Sequence, residues 1–251
     1  MSLRSRVVDG EPLLGLILKI PSHSAVELAG YLGFDFVLLD TEHASAETVE
    51  VEHHVRAGDA AGIPLLVRVA GSDPSSALHA LDAGAAGIVV PHVSTAADAE
   101  AAVRAAHYPP RGTRSLAVST RAGRHGTSTL DEHLARAASD TVVVVQAEDR
   151  HSVRNCAAIA ATEGVDAVWI GPTDLSLSLG IPGDFEHAEY RSAVDRITEA
   201  VKSAPRCSLC ALVHRPEQIK EWRKRGAGIL LFNYNTVVVD GLRDIVDRAR
   251  Q

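Results

Sequence analysis

A set of polar side chains falls at matching places along the chain, each closing or directly following an apolar run. Asp40, Glu42 and His43 follow "FVLL"; Arg68 is next to last in "LLVRV"; Gln146 and Glu148 end "VVVVQAE"; Asp174 follows "WIGPT". Gln146 and Glu148 stand two residues apart, so on a strand they point to the same side. An arginine inside an apolar strand needs a partner, because an unpaired buried guanidinium is costly. Two carboxylates on neighbouring elements, with few other ligands nearby, suit a hard divalent cation that prefers oxygen donors. A zinc site built from Cys and His does not fit this set. Each residue also has a plainer reading. Asp40, Glu42 and Asp174 can cap helices, Glu148 can be a loop carboxylate, Arg68 half of a structural ion pair, and His43 a rim imidazole. One shared site accounts for all of them together.

The elements that must position these residues alternate from end to end. Strand-like runs are "LLGLILKI", "FVLLD", "PLLVRV", "GIVVP", "TVVVVQAE", "DAVWIGP", "SLCALVH" and "GILLFN", each followed by a helical pattern. Such alternation implies parallel strands with right-handed crossovers. Eight units within 251 residues predict an α/β fold, a single (β/α)8 TIM barrel over residues 1–251. An open doubly wound sheet is the runner-up, but no GxGxxG follows the first strand and no GxxxxGK[ST] occurs. In a barrel of this kind active-site residues gather at the C-terminal strand ends. That is where the polar set lies. "YPPRGTRSLAVSTRAGRHG" is too rich in Pro, Gly and Arg for a regular element, and its Arg114 and Arg121 are expected at subunit contacts.

Composition narrows the function classes. A net charge of -7 disfavours nucleic acid. "KEWRKRG" is a solvated helix end with cations near the C-terminal dipole. The first residues lack the apolar core of a secretion signal, and no apolar run approaches the roughly 20 residues of a membrane span. Cys156, Cys207 and Cys210 form an odd, sparse set, which suits reduced thiols and a cytoplasmic setting. "EHH" at Glu52 to His54 has adjacent spacing and is expected to carry surface histidines.

The motifs "GFDFVLLDTEHAS", "LLVRV", "ALDAGAAGIVVPHV", "YPPRGTRS", "VQAE" and "EGVDAVWIGPTDLSLSLG" resemble the HpcH/HpaI aldolase family. That family comprises metal-dependent class II aldolases of 2-keto acids, 4-hydroxy-2-oxoheptanedioate aldolase among them. The resemblance implies a (β/α)8 barrel assembled as a homo-hexamer, a trimer of dimers. It implies a divalent metal, Mg2+ first with Mn2+ or Co2+ as alternatives, bound by Glu148 and Asp174. It assigns His43 as catalytic base, Arg68 to the pyruvate oxygen, and Asp40 to a place beside the metal's water shell. Asp82 matches an aspartate that reaches a histidine of a neighbouring subunit. Gln146, Gly171, Pro172 and Thr173 match the pyruvate-binding surface. The implied substrates are a small 2-keto acid and an aldehyde, with neither nucleic acid nor membrane as partner.

The chain departs from the family pattern in two places. "LLFNYNTVV" brings Asn233, Tyr234 and Asn235 into what is expected to be a loop, and "KIPSHS" brings Lys19 after the first strand. Both would form the far wall of the pocket. Three rival readings remain at this level. One is a related condensing or decarboxylating enzyme, like a citrate synthase, on the same scaffold. Another is Schiff-base chemistry, for which Lys19 is the lysine near a strand's C-terminal end. The third is a keto-acid-binding barrel without catalysis.

Overall fold

The computed structural model describes residues 1–45 and 48–250. Parallel strands β1 (Leu13–Leu18), β2 (Phe36–Asp40), β3 (Leu65–Arg68), β4 (Gly87–Val90), β5 (Val142–Ala147), β6 (Ala167–Ile170), β7 (Ser208–Val213) and β8 (Ala227–Asn233) pair in sequence order, and β8 closes onto β1. Helix α1 (Leu3–Val8) precedes the barrel. The outer helices are α2 (His23–Tyr31), α3 (Thr48–Ala61), α4 (Pro74–Asp82), α5 (Ala96–Ala106), α6 (Leu130–Asp140), α7 (Arg150–Ala160), α8 (Pro172–Ser178), α9 (Ala188–Ser203), α10 (Ile219–Lys224) and α11 (Tyr234–Ala249). The expected TIM-barrel architecture is therefore present. The stretch Ala46–Glu47, where the helical pattern of α3 was expected to start, lies outside the described residues.

The strand pleat sorts the apolar residues into two layers. Leu13 and Ile17, Phe36 and Leu38, Leu66, Val142 and Val144, Trp169, Ile229 and Leu231 fill the barrel interior. Their neighbours in sequence pack outward against the helices. Only about 10 Å³ of water-sized space remains inside, so the interior is a packed core and not a pore. Gly15 makes room in it. It lies in register with Phe36 on one side and Leu231 on the other. A Cβ there would come within 2.4 Å of the Phe36 ring and 2.7 Å of Leu231 Cδ2.

Two helices had no counterpart in the apolar pattern. The first, α1, plugs the N-terminal end of the barrel. Its Leu3 and Val7 join the interior, and Arg4 Nε donates to Asp166 Oδ1 at 3.0 Å. Helix α6 follows the Pro- and Arg-rich stretch and starts with a capping box between Thr129 and Glu132, a signal that the sequence carries.

Several local expectations change. "LLFNYNTVV" is not a loop: β8 runs through Asn233 straight into α11, and Asn233 caps that helix by accepting the Asn235 N–H at 3.0 Å. His54 is not at the surface but fully buried. It accepts the Ser22 N–H at 2.9 Å and meets the Glu50 carbonyl at 2.6 Å. Arg114 and Arg121, expected at subunit contacts, also pair within the chain, with Asp82 and Asp59 respectively, and those pairs do not bear on that expectation. The cysteines are free thiols. Burial pushes Cys207 up to about 12 and Cys210 well above the usual range, so neither is a ready thiolate. No helix among the described residues is long and apolar enough to cross a membrane.

The packing around Gly15 yields a test. Gly15→Val forces a branched side chain between Phe36 and Leu231 and should lower stability by roughly 1–3 kcal/mol. Urea unfolding should show an earlier midpoint; an unchanged midpoint would contradict the layer assignment.

Candidate active site

The inward parity of each strand continues past its last apolar residue. One step beyond Ile17, Leu38, Leu66, Val144, Trp169 and Leu231, the same faces carry Lys19, Asp40, Arg68, Gln146, Gly171 and Asn233. Period-two alternation thus delivers a polar layer on top of an apolar one. The mouth is at the C-terminal ends of the strands.

Arg68 is the hub. Its Nε donates to Asp40 Oδ1 at 3.0 Å and Nη2 donates to Asp40 Oδ2. Nη1 lies 3.3 Å from Gln146 Oε1 and 3.3 Å from Glu42 Oε2. The guanidinium carbon stands 5.2 Å from the centre of the Trp169 ring. Asp40, completely buried, also accepts the backbone N–H groups of Glu42 and His43, each at 3.1 Å. Burial alone would raise the Asp40 carboxyl. The Arg68 hydrogen bonds and charge, the His43 N–H and the Lys19 charge outweigh it and hold the group below its ordinary range.

Glu148 follows β5 and is buried. Gln146 Nε2 donates to its Oε2. The His92 backbone N–H and ring Nδ1 approach Oε1 at 2.7 and 2.8 Å. His92 Nε2 stands 2.9 Å from Glu42 Oε1, so this imidazole bridges two carboxylates. Burial above all, with the charges of Asp174 and Glu42 adding, pushes the Glu148 carboxyl up to about 7 against the pull of His92. Asp174 lies half-buried in the first turn of α8, which begins at Pro172 after the N-cap Gly171. Gly171 must be glycine for lack of space. A Cβ would sit 2.6 Å from Gln146 Nε2 and 2.7 Å from Glu148 Oε2.

Two of these residues, Glu42 and His92, stand at strand ends in the sequence, and the structure adds how each is held. Glu42 looked like a helix start but is clamped by Arg68 and His92. His92 has the wrong parity on β4, since Val89 is the inward residue. Its left-handed backbone, φ 58°, turns the ring back into the mouth. A φ of this kind is uncommon for a non-glycine residue; the strand-end position of His92 pointed to the mouth, and the backbone turn that takes it there is not written in the pattern. His214, which closes the apolar run "SLCALVH" and by that position is a second candidate to face the pocket, stacks instead on Phe185, with ring centres 5.7 Å apart.

The remaining candidates divide. His43 is at the mouth, with its imidazole half exposed and 3.8 Å from Glu42 Oε2. Asp82 is not there. It ends α4, a helix that returns from the mouth to the opposite face, and it pairs with Arg114 at 2.6 Å. Within one chain it does not meet His43. A separate group, His23, Glu50 and His54, brings potential ligand atoms within 4.8 Å of one another. Both ring nitrogens of His54 are already engaged, with Ser22 and Glu50. No lone pair is left there for a metal.

The donor set at Glu148 and Asp174 fits a hard cation. Both are carboxylates, Glu148 is buried and pushed up beside another carboxylate, and the Gly171 cradle holds it close to Gln146. Oxygen-only donors of this kind match Mg2+ or Mn2+.

Comparison with known proteins agrees with this geometry. Residues 14–239 match the HpcH/HpaI aldolase/citrate lyase family. A hydroxypyruvate/pyruvate aldolase of Paraburkholderia phytofirmans is 35% identical over 208 residues, covering 80% of this chain and 79% of that protein. The crystal structure of an HpcH/HpaI aldolase/citrate lyase family protein from Burkholderia cenocepacia superposes with a TM-score of 0.93 at 32% identity, covering 99% of each chain. That of the citrate synthase SbnG gives 0.89 at 31% identity, covering 100% of this chain and 98% of that one. This chain belongs to the HpcH/HpaI aldolase/citrate lyase family.

Proposed function

We propose that this protein cleaves a 4-hydroxy-2-keto acid, or forms one in reverse, through a pyruvate enolate. The carrying observation is the position of Arg68, which spans the mouth from Asp40 on β2 to Gln146 beside Glu148 on β5. A fixed guanidinium thus stands next to the carboxylate pair where a keto oxygen would gain charge.

Glu148 and Asp174 are the proposed ligands of a divalent metal, Mg2+ before Mn2+ or Co2+. When bound, the metal supplies Lewis-acid stabilisation of the enolate. The other steps belong to the chain. The first-turn N–H groups of α8 at Thr173 and Asp174 lack intrahelical partners and can orient the keto-acid carboxylate, with Gly171 and Pro172 shaping that wall. Gln146 holds Glu148 by one amide end and meets Arg68 by the other. Arg68 stabilises negative charge on the C2 oxygen as the C3–C4 bond breaks. His43 takes the proton from the C4 hydroxyl, so that the C4 carbon leaves as an aldehyde. Asp40 fixes the start of the His43 loop through two backbone N–H groups.

We further propose one domain over the chain, a cytoplasmic setting suggested by the free thiols, and a homo-hexamer built as a trimer of dimers. Supporting assembly, α11 buries no residue and exposes Val237, Leu242 and Ile245, while Tyr31 and Leu32 at the end of α2 are exposed as well. Asp82, remote from its own His43, would serve the imidazole of another copy. A second reading, a condensing enzyme using the same enolate, draws on the likeness to SbnG; product analysis with pyruvate or oxaloacetate against aldehydes and acyl-CoAs separates the two.

Four tests follow from these assignments. Glu148→Ala combined with Asp174→Ala should abolish Mn2+ binding in electron paramagnetic titrations as well as turnover. In the unsubstituted protein, protons compete for Glu148 below its folded value of about 7, so metal affinity should rise with pH through that region; a flat profile would remove Glu148 from the ligand set. Arg68→Ala should slow pyruvate C3 proton exchange by roughly a hundredfold or more, and Arg68→Lys should restore it only partly, because it loses the fork geometry. Normal exchange in both would dismiss Arg68 from the chemistry. Light scattering should give a mass near six protomers of 26.6 kDa, and truncation before α11 should yield smaller species; a monomer with full activity would refute the assembly.

A further inference from the structure

We propose that Lys19 binds a carboxylate on the acceptor half of the substrate, so that the protein selects anionic aldehydes; this rests on the aldolase reading above. The position follows from barrel geometry. In a closed ring of eight strands β1 lies opposite β5. A keto acid held at Glu148, Gly171 and Asp174 therefore points its C4 end across the mouth toward β1 and β8. Lys19 is the inward residue there, one pleat beyond Ile17, which is in register with Asn233 of β8.

A chain of contacts runs along the same line. Gln146 meets Arg68 at 3.3 Å, Arg68 meets Asp40 at 3.0 Å, and Asp40 Oδ2 lies 3.9 Å from Lys19 Nζ. The last spacing exceeds a hydrogen bond. Asp40 does not require the ammonium as a partner, since Arg68 grips both its oxygens and two backbone N–H groups reach Oδ1. Arg68 and His92 are committed, Arg68 to Asp40 and Glu42, and His92 to Glu42 and Glu148. The Lys19 ammonium makes no hydrogen bond among the described residues, and its side chain is 35% exposed. On the β8 side the neighbour is Asn233, in register with Ile17, whose Oδ1 accepts the Asn235 N–H and whose amide nitrogen has no acceptor among the described residues. A carboxylate arriving there meets an ammonium with donors to spare.

Lys19 forms no covalent bond in this scheme. It is a specificity residue, distinct from the lysine of a Schiff-base aldolase, because Glu148, Asp174 and Arg68 already provide for the enolate.

The test uses the metal-loaded protein and pyruvate with two matched pairs of acceptors, glyoxylate against acetaldehyde and succinic semialdehyde against butanal. The expected result is a kcat/KM preference for the anionic member of at least one pair. Lys19→Gln should reduce that preference about tenfold or more, as loss of a charge-assisted hydrogen bond predicts, and Lys19→Arg should retain most of it. A preference unchanged in Lys19→Gln, or absent from the unsubstituted protein, would overturn the inference while leaving the aldolase reading intact, provided pyruvate C3 exchange and turnover persist. Failure of exchange and of all four acceptors in the unsubstituted protein would instead remove the aldolase reading and this inference with it. Borohydride trapping of pyruvate on Lys19, with activity surviving EDTA, would overturn the specificity role in favour of a Schiff base.

Discussion

Arg68 is buried at the end of β3, and a guanidinium in that position has to be answered on every side. Asp40 takes two of its N–H groups, Glu42 and Gln146 face a third nitrogen, and Trp169 lies against its plane. Removing one partner of such a pair costs about 3–5 kcal/mol, because a buried charge is left behind. Those contacts also set the neighbours. With its carbonyl oxygen turned to Arg68, Gln146 points its amide nitrogen at Glu148. Asp40, held by Arg68, collects the N–H groups that start the loop of Glu42 and His43. One ion pair thus aligns a carboxylate on β5 with an imidazole after β2.

The pleat explains why these residues converge at all. A barrel interior of Phe, Leu, Ile, Val and Trp ends where the inward positions become Lys19, Asp40, Arg68, Gln146, Gly171 and Asn233. The polar layer costs nothing in strand geometry, since each residue occupies the face its predecessors already used. His92 is the exception and reveals what the rule cannot supply. A side chain needed between Glu42 and Glu148 falls on the outward parity of β4, so the backbone turns to φ 58°. That conformation costs an L-residue of the order of 1–2 kcal/mol, and the two carboxylate contacts of the ring offset it.

What the sequence made legible follows the same division. Alternating strand and helix patterns specified the barrel, and strand-end positions specified Asp40, Arg68, Gln146, Glu148 and Asp174, because both depend on periodicity. Departures from periodicity stayed hidden. The inward turn of His92 depends on one dihedral. The grip on Glu42 depends on Arg68 and His92, which lie on other strands. The direct passage of β8 into α11 hid behind a polar Asn-Tyr-Asn segment that reads as a turn but serves as an N-cap. His54 looked exposed because two histidines stood side by side on a helix. Its burial comes from α2, whose Ser22 N–H it accepts.

Crowding of like charge makes this mouth a site and not merely a polar rim. Asp40, Glu42, Glu148 and Asp174 share it. Arg68 pairs with the first two, while Glu148 is held by His92 and the Gln146 amide and has no arginine or lysine partner among the described residues. Burial first, and the Asp174 and Glu42 charges after it, push the Glu148 carboxyl up to about 7. A fold selected for stability alone would relieve this crowding with an amide or an apolar residue, as buried charge seldom adds net stability. Its persistence next to a glycine cradle with no room for a Cβ fits a pair kept for a cation.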